Sequence, residues 1–340
     1  MKVLAVTNMM PNPLNPKAGT FISEQINGLR SIGLDVEVLL CDRPTLGAGI
    51  YRKVPLAVRA AVQSFRPDVV HFMYGGALAA LGAPAARGVP RVVSFCGVDL
   101  LGARYGALRY RVRTGLGRMA SLLAVRMCDQ IIVKSRNLAA GLPRSIRESR
   151  TTIIPNGISP DRFRPMEEAE CRLRLGWAPG RFHVLFSTTN RANEKKRLVL
   201  AEAALEALRQ RGVDAELHGL WHVPHEEVPV WINASDVLLF TSREDEGSPN
   251  IVKETLACGR PVVSVDVGDV SERIEGIDGC YIAQADPHDL AAKLGNVVNG
   301  RRRVDSLGAM KDLAIDTVAR RVEAVYGLAI RSVSGAVKDG

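Results

Sequence analysis

The 340-residue sequence has no Cys-x-x-Cys pair, no apolar run near the ~20 residues needed to cross a bilayer, and only 5 % aromatics. Each absence removes a class. The six scattered cysteines, Cys41, Cys96, Cys128, Cys171, Cys258 and Cys280, suggest neither a disulfide framework nor a zinc knuckle, and read as reduced, buried thiols. Scarce aromatics argue against a base-stacking platform, so no nucleic-acid partner is expected, and a basic nucleic-acid-binding protein is the remote alternative. The opening Met-Lys-Val-Leu-Ala-Val-Thr-Asn is too short an apolar run for a signal peptide; it reads as a buried strand, with a cytoplasmic location expected. Gly-x-Gly-x-x-Gly does not follow that strand, which argues against a nicotinamide dinucleotide. Acid is missing between Asp99 and Asp129, where Arg104, Arg109, Arg111, Arg113, Arg118 and Arg126 alternate with Leu, Tyr, Val and Met. This basic amphipathic segment, 104–126, suits a peripheral contact with an anionic membrane surface at the inner face of the cell membrane; a solvated helix face is the alternative.

With 46 % hydrophobic and 24 % charged residues, the chain reads as globular, and its length suggests two domains. Short apolar runs at Lys2–Val6, Val36–Leu40, Asp68–Phe72, Arg91–Ser94, Gln130–Lys134 and Thr152–Pro155 alternate with helical patterns such as Phe21–Ser31, as in a parallel α/β sheet. Three prolines and a glycine between Pro155 and Pro165 break the pattern. It restarts with strands expected at His183–Ser187, Ala215–His218, Val237–Phe240 and Pro261–Val265 and a helix at Leu198–Arg209. The expectation is an α/β fold of two Rossmann-like domains facing across a cleft, 1–160 and 161–314, with a final helix at about 315–330 packing back on the first.

The most informative stretch is 244–259, Glu-Asp-Glu-Gly-Ser-Pro-Asn-Ile-Val-Lys-Glu-Thr-Leu-Ala-Cys-Gly. Ser248 as N-cap and Pro249 at the first helical position predict a helix from Pro249 to Ala257, ended by Gly259. Glu246 then precedes the helix and Glu254 lies inside it, ~7.5 Å along the axis from Pro249 at 1.5 Å per residue. A helix N-terminus suits a phosphate, and carboxylates on either side accept hydroxyl hydrogens; together they describe a nucleotide sugar. A paired-carboxylate hydrolase, a metal site completed by Glu244 and Asp245, and a capping loop with solvated glutamates are the alternatives. The loop Thr188-Thr189-Asn190-Arg191-Ala192-Asn193-Glu194-Lys195-Lys196-Arg197 adds cations able to neutralise a diphosphate, or to sit in solvent. His218-x3-His222-x2-His225 has metal-ligand spacing, but Gly219 and Pro224 interrupt the helix it needs, so a loop near a nucleotide base is expected instead. His71 ends a strand, either toward the cleft or as a satisfied core histidine. Arg301-Arg302-Arg303 and the tail Ser332–Gly340 read as solvated surface.

Glu246-x7-Glu254, Leu256-Ala257-Cys258-Gly259-Arg260-Pro261-Val262-Val263 and Gly268-Asp269-Val270-Ser271-Glu272-Arg273 resemble the retaining GT-B glycosyltransferases of the family 4-like, group 1 type. The look is closest to bacterial members of surface-polysaccharide and teichuronic-acid assembly. Pro155-Asn156-Gly157-Ile158, Ala234–Ser242 and Gly19-Thr20-Phe21-Ile22-Ser23-Glu24-Gln25 extend the likeness along the chain. The resemblance implies transfer of a hexose or N-acetylhexosamine from a UDP- or GDP-linked donor to a glycan, lipid-linked or polysaccharide-precursor hydroxyl, with no metal and no further cofactor. It makes Glu254 the ribose acceptor, Glu246 a ligand of the donor sugar, and Gly247, Ser248, Pro249, Asn250 and Ile251 a backbone cradle for sugar and phosphate. Arg191 and Lys196 match the diphosphate pair, one residue closer than in some members, so Lys195 or Arg197 is the alternative to Lys196. Gly19, Cys96 and Asp99 fall on the acceptor side, and Cys96 stands where many members carry His. A non-catalytic nucleotide-sugar binding protein would carry many of the same residues.

Overall fold

Apolar β-branched runs form parallel strands and the amphipathic stretches between them form covering helices, in two compact units: Met1–Gly157 with Ile315–Gly340, and Ile158–Ala314. The structure is a computed structural model that describes residues 1–13, 15, 18–42, 47–188, 190–243, 246–300 and 303–336. Thr189, Glu244, Asp245, Arg301, Arg302 and the end of the tail, 337–340, lie outside the described residues.

The first unit holds β1 (Lys2–Thr7), β2 (Asp35–Leu40), β3 (Val69–Phe72), β4 (Arg91–Phe95), β5 (Gln130–Val133) and β6 (Thr151–Ile153) in the order β2-β1-β3-β4-β5-β6. Neighbouring strands are parallel, for example Val3 beside Val36 and Val69. Side chains alternate between the two faces, and both faces are buried. Val3, Ala5 and Val92 meet Ile22, Ile26 and Leu29 of the Thr20–Ser31 helix, while Leu4, Val6 and Val93 meet Val54, Val58 and Leu78. The Ile315–Ala336 helix joins the first face through Val318, Val322, Val325 and Tyr326. A Cβ at Gly157 would come within 2.9 Å of the Ile315 Cα, so glycine lets the chain leaving β6 pass under the start of that helix.

His71 on β3 is a satisfied core group. Its Nδ1 bonds the Tyr326 hydroxyl at 2.7 Å and its Nε2 the Ser94 hydroxyl at 2.7 Å. Burial, assisted by the Lys134 charge, lowers its pKa to about 3, so the ring is neutral. The cysteines are free; burial raises Cys128 and Cys258 to about 12 and Cys280 to about 11, which leaves them inert.

The second unit holds β7 (Phe182–Phe186), β8 (Ala215–Gly219), β9 (Val237–Phe240), β10 (Val262–Val265) and β11 (Tyr281–Ala283), all parallel, in the order β11-β10-β9-β7-β8. The three-residue edge strand β11 has no counterpart among the strands expected from sequence. Two ion pairs brace this unit: buried Arg172 to Asp236 at 2.9 Å, and buried Arg260 to partly exposed Glu168 at 2.7 Å. Arg260 also donates to the Asn233 carbonyl, so this motif residue is committed to the scaffold. Among the described residues no helix is long and apolar enough to cross a membrane.

Candidate functional site

In the second unit the expected donor residues leave the carboxyl ends of β7 and β9, where open parallel sheets bind ligands. The helix after β9 is Asn250–Ala257, and Gly259, at φ +68°, follows it in the left-handed region. Its start corrects the sequence reading. Pro249 is the cap residue, at φ −68° and ψ 119°, and Ser248 does not cap the helix. The Ser248 hydroxyl donates instead to the Asp269 carboxylate at 2.8 Å. Asp269 is almost wholly buried, and a buried carboxylate draws nearby donors more strongly than a helix end does. The helix therefore begins with no side-chain cap, and its first-turn amides can serve an anionic ligand. Asp269 Oδ2 also receives Arg273 Nε at 3.0 Å. At Gly268, φ is +65° and a Cβ would lie 2.5 Å from the Gly247 carbonyl oxygen, so the two loops touch backbone to backbone.

The cations of the 188–197 loop divide by role. Lys196 Nζ meets Glu246 Oε1 at 2.6 Å and lies 4.9 Å from the Phe240 ring centre; Lys195 Nζ meets Glu246 Oε2 at 3.4 Å. Burial pushes the Glu246 carboxyl up, but Lys196 and Lys195 outweigh it and hold the group below its ordinary value. Arg197 sits at φ +52°, and its guanidinium donates to the carbonyls of Thr241 at 2.6 Å and Ser242 at 2.9 Å. It pins the end of β9 to the loop. Arg191 reaches outward, 3.4 Å from Glu202 and 4.7 Å over the Trp221 ring, with its side chain 62 % exposed.

Glu254 is the least satisfied acid of this group. Its side chain is only 8 % exposed, yet its carboxylate accepts no hydrogen bond among the described residues; it meets His225 Nε2 at 3.8 Å. His225 is held in turn by Arg162 at 3.0 Å. Of the other two histidines of the spaced trio, His218 departs from the expected loop and His222 lies in it. His218 belongs to β8, stacks on Trp177 at 3.5 Å and bonds His183 at 2.9 Å; His222 occupies a left-handed turn at φ +63°. His183, Glu216 and His218 do bring ligand atoms within 4.8 Å of one another. Only one of the three belongs to the sequence-level trio.

The residues expected on an acceptor side, Gly19, Cys96 and Asp99, lie in the first unit. Gly19, at φ +65°, precedes the Thr20–Ser31 helix, and a Cβ there would strike the Met9 carbonyl at 2.7 Å. Asp99 is buried and accepts backbone amides of Gly75 at 3.1 Å, Cys96 at 3.1 Å and Gly97 at 2.8 Å. Burial nonetheless raises its pKa against those bonds. Asp99 thus clamps the loops after β3 and β4, and half-buried Cys96 is held through its backbone. The sequence reading overlooked Asp269 and Arg197 as organisers. Asp269 stands inside a quoted motif, whereas Arg197 looked like one more loop cation.

Residues 18–162 match the family described as Glycosyltransferase Family 4, and residues 182–299 match Glycosyl transferases group 1. Across 335 residues, covering 80 % of this chain and 82 % of the relative, the chain is 24 % identical to a Bacillus subtilis (strain 168) protein named for glycosyl transfer in teichuronic acid biosynthesis. It resembles the solved sucrose-phosphate synthase of Thermosynechococcus elongatus, with 15 % identity, a TM-score of 0.69 and 99 % of each chain covered. It also resembles Anabaena HepE, solved with UDP-glucose, with 16 % identity, a TM-score of 0.62 and 100 % of each chain covered. At such identities the structural likeness speaks for the GT-B fold.

Proposed function

The chain is a group 1, family 4-like glycosyltransferase with the GT-B fold, and from that premise we propose that it transfers a hexose or N-acetylhexosamine, with retention, from a nucleotide-diphosphate sugar to a glycan, lipid-linked or polysaccharide-precursor hydroxyl. The observation that carries this reading is Glu254: a nearly buried carboxylate that accepts no hydrogen bond among the described residues and faces only His225, at 3.8 Å, inside a helix whose first turn has no side-chain cap. Buried polar groups are almost always satisfied, and a ribose hydroxyl pair would satisfy this one. The first-turn amides of Asn250 and Ile251, with those of Gly247 and Ser248 ahead of the Pro249 cap, would face the phosphates, and Glu246 would take sugar hydroxyls.

In the reaction the bond from the sugar's anomeric carbon to the diphosphate oxygen breaks, and a bond to the acceptor oxygen forms on the same face. The acceptor's proton passes to the departing phosphate oxygen, so no protein nucleophile is required. Charge grows on the diphosphate, where Lys196 and Arg191 are the cations able to meet it. Lys196 would leave Glu246 for phosphate, and Arg191 would swing from its exposed position. No step calls on a metal or cofactor.

The basic helix Leu108–Met127 gives the acceptor reading a location, since its exposed arginines suit the anionic inner surface of a cell envelope membrane. The experiment is a thermal-shift screen against UDP, GDP and their sugars, followed by NMR of the transfer product. One nucleotide should raise Tm, by about 2.7 kcal/mol of added stability at a hundredfold excess over Kd. The product should keep the donor's anomeric configuration. No shift with any nucleotide, or an inverted product, would sink the reading.

A further inference from the structure

The spaced histidine trio does not assemble, but His218 meets other ligand types across the β7–β8 pair. In that parallel register His183 stands beside Glu216, and Leu185 beside His218. Paired residues share a face of the sheet and so do residues two apart, so His183, Glu216 and His218 project together. Each offers one ligand atom, and the three atoms lie within 4.8 Å of one another. His183 is the second residue of β7, whereas the cationic donor-side loop leaves the other end of that strand.

His183 is fully buried and fixed at both ends: Asp236 Oδ2 accepts its backbone amide at 2.7 Å, and its Nε2 lies 2.9 Å from the Ala178 carbonyl oxygen. A carbonyl only accepts, so Nε2 carries the ring proton and Nδ1 presents a lone pair. Metal-ligating histidines are held in this way, the second nitrogen donating to a backbone carbonyl. Nδ1 faces His218 Nε2 at 2.9 Å, and a single proton between the two nitrogens makes that contact a hydrogen bond. Moving this proton to His218 Nδ1 aims two lone pairs at one point. Nitrogens bound to one tetrahedral Zn²⁺ stand about 3.3 Å apart, so the pair needs to open by only about 0.4 Å. Trp177 stacks on the His218 ring at 3.5 Å and 14° and leans edge-on against Trp231, which fixes the plane of the imidazole. Glu216 and His218 are partly exposed, so an ion can enter from solvent. One cation stands against it: Arg181 donates to Glu216 Oε2 at 3.0 Å and to Asp214 at 3.1 Å. Being partly exposed and doubly paired, Arg181 can keep Asp214 and free a Glu216 oxygen.

We propose that His183 Nδ1, His218 Nε2 and one Glu216 oxygen bind a single Zn²⁺ ion, with water as the fourth ligand. Two imidazoles and a carboxylate suit Zn²⁺ and discriminate against Mg²⁺ and Ca²⁺, which take oxygen ligands. Because β8 is an edge strand that pairs only with β7, the ion would fasten that edge to the sheet. Its role is stability, away from the donor residues and apart from sugar transfer. Three protein ligands and a facing arginine make the site looser than a four-ligand structural one, so occupancy would follow the concentration of free ion.

The test uses the full chain without an affinity tag, freed of metal by a chelator. Calorimetry with ZnCl₂ should give one ion per chain with a Kd on the order of 1 μM, and Tm should rise with Zn²⁺ concentration. Co²⁺ should develop the visible absorption of a four-coordinate ion, which excess Zn²⁺ removes and Mg²⁺ leaves intact. His218→Phe keeps a ring on Trp177 but deletes the nitrogen, and should abolish both the Co²⁺ band and the Zn²⁺-dependent rise in Tm. Glu216→Gln, at a partly exposed position, should weaken Zn²⁺ by about tenfold or more, and Arg181→Met should tighten it by up to about tenfold by removing the facing cation. No binding below about 100 μM Zn²⁺, or a Co²⁺ band that survives in His218→Phe and Glu216→Gln, would overturn the proposal. None of these readouts uses a nucleotide or a sugar, so they stand or fall apart from the transfer reaction.

Discussion

Replacing Glu246 by Gln should separate affinity for the nucleotide from affinity for the nucleotide sugar. Glu246 holds Lys196 at 2.6 Å and Lys195 at 3.4 Å. A hydrogen bond to a charged group contributes about 1.5–3 kcal/mol, and the partial exposure of these side chains favours the lower end. A diphosphate that recruits Lys196 must first break that bond, so removing the carboxylate's charge should tighten binding of the nucleotide diphosphate by up to about tenfold. The sugar then lacks a charged acceptor for its hydroxyls and loses a comparable amount, so the intact donor should gain nothing over the bare nucleotide. Gln keeps the shape of Glu, which limits the change to charge. Calorimetric titration of wild type and Glu246→Gln with the nucleotide and its sugar reads both quantities. If both affinities fell in parallel, the competition between Glu246 and phosphate would be refuted. The same variant carries a pH signature. A carboxyl whose folded value is depressed adds stability above its unfolded pKa of about 4.3 and loses it as pH falls through the lower folded value. Glu246→Gln should therefore flatten that part of the acid limb in urea titrations.

Glu254→Ala should weaken the nucleotide and the nucleotide sugar alike, by about 10- to 100-fold for the loss of a buried charged acceptor, and equal affinity to wild type would count against its ribose role. Gly268→Ala combines a left-handed residue with a Cβ 2.5 Å from the Gly247 carbonyl, so we expect about 1–2 kcal/mol lower stability and a raised donor KM, read by thermal melts and initial rates. His71, at about 3 when folded and ~6.5 when unfolded, makes the unfolded chain bind the extra proton between those values. Stability should therefore drop by up to about 1.4 kcal/mol per unit as pH falls below ~6.5. His71→Gln should be less stable at pH ~7.5 but show a shallower acid slope, and an unchanged slope would show that His71 is not the titrating group.

Much of this protein was legible along the chain because it depends on local rules. Short apolar runs rich in β-branched residues marked ten of the eleven described strands within a residue or two, and the proline-glycine break between Pro155 and Pro165 spans the point where one unit gives way to the next. The Glu246–Glu254 stretch announced a helix start flanked by carboxylates. What sequence could not supply was the partner of each polar group, since those partners lie far away along the chain. Ser248 looked like a cap until Asp269, twenty-one residues on, proved to be its acceptor. Arg197 looked like a loop cation until the carbonyls of Thr241 and Ser242 claimed it. His71 could face ligand or core until Tyr326, 255 residues later, closed around it. The α/β class, the strands and the family motifs are written along the chain, because apolar runs and turn chemistry are local. Which charges are committed to the scaffold and which remain for a ligand emerges from the folded arrangement, because hydrogen-bond competition is settled by three-dimensional proximity and burial.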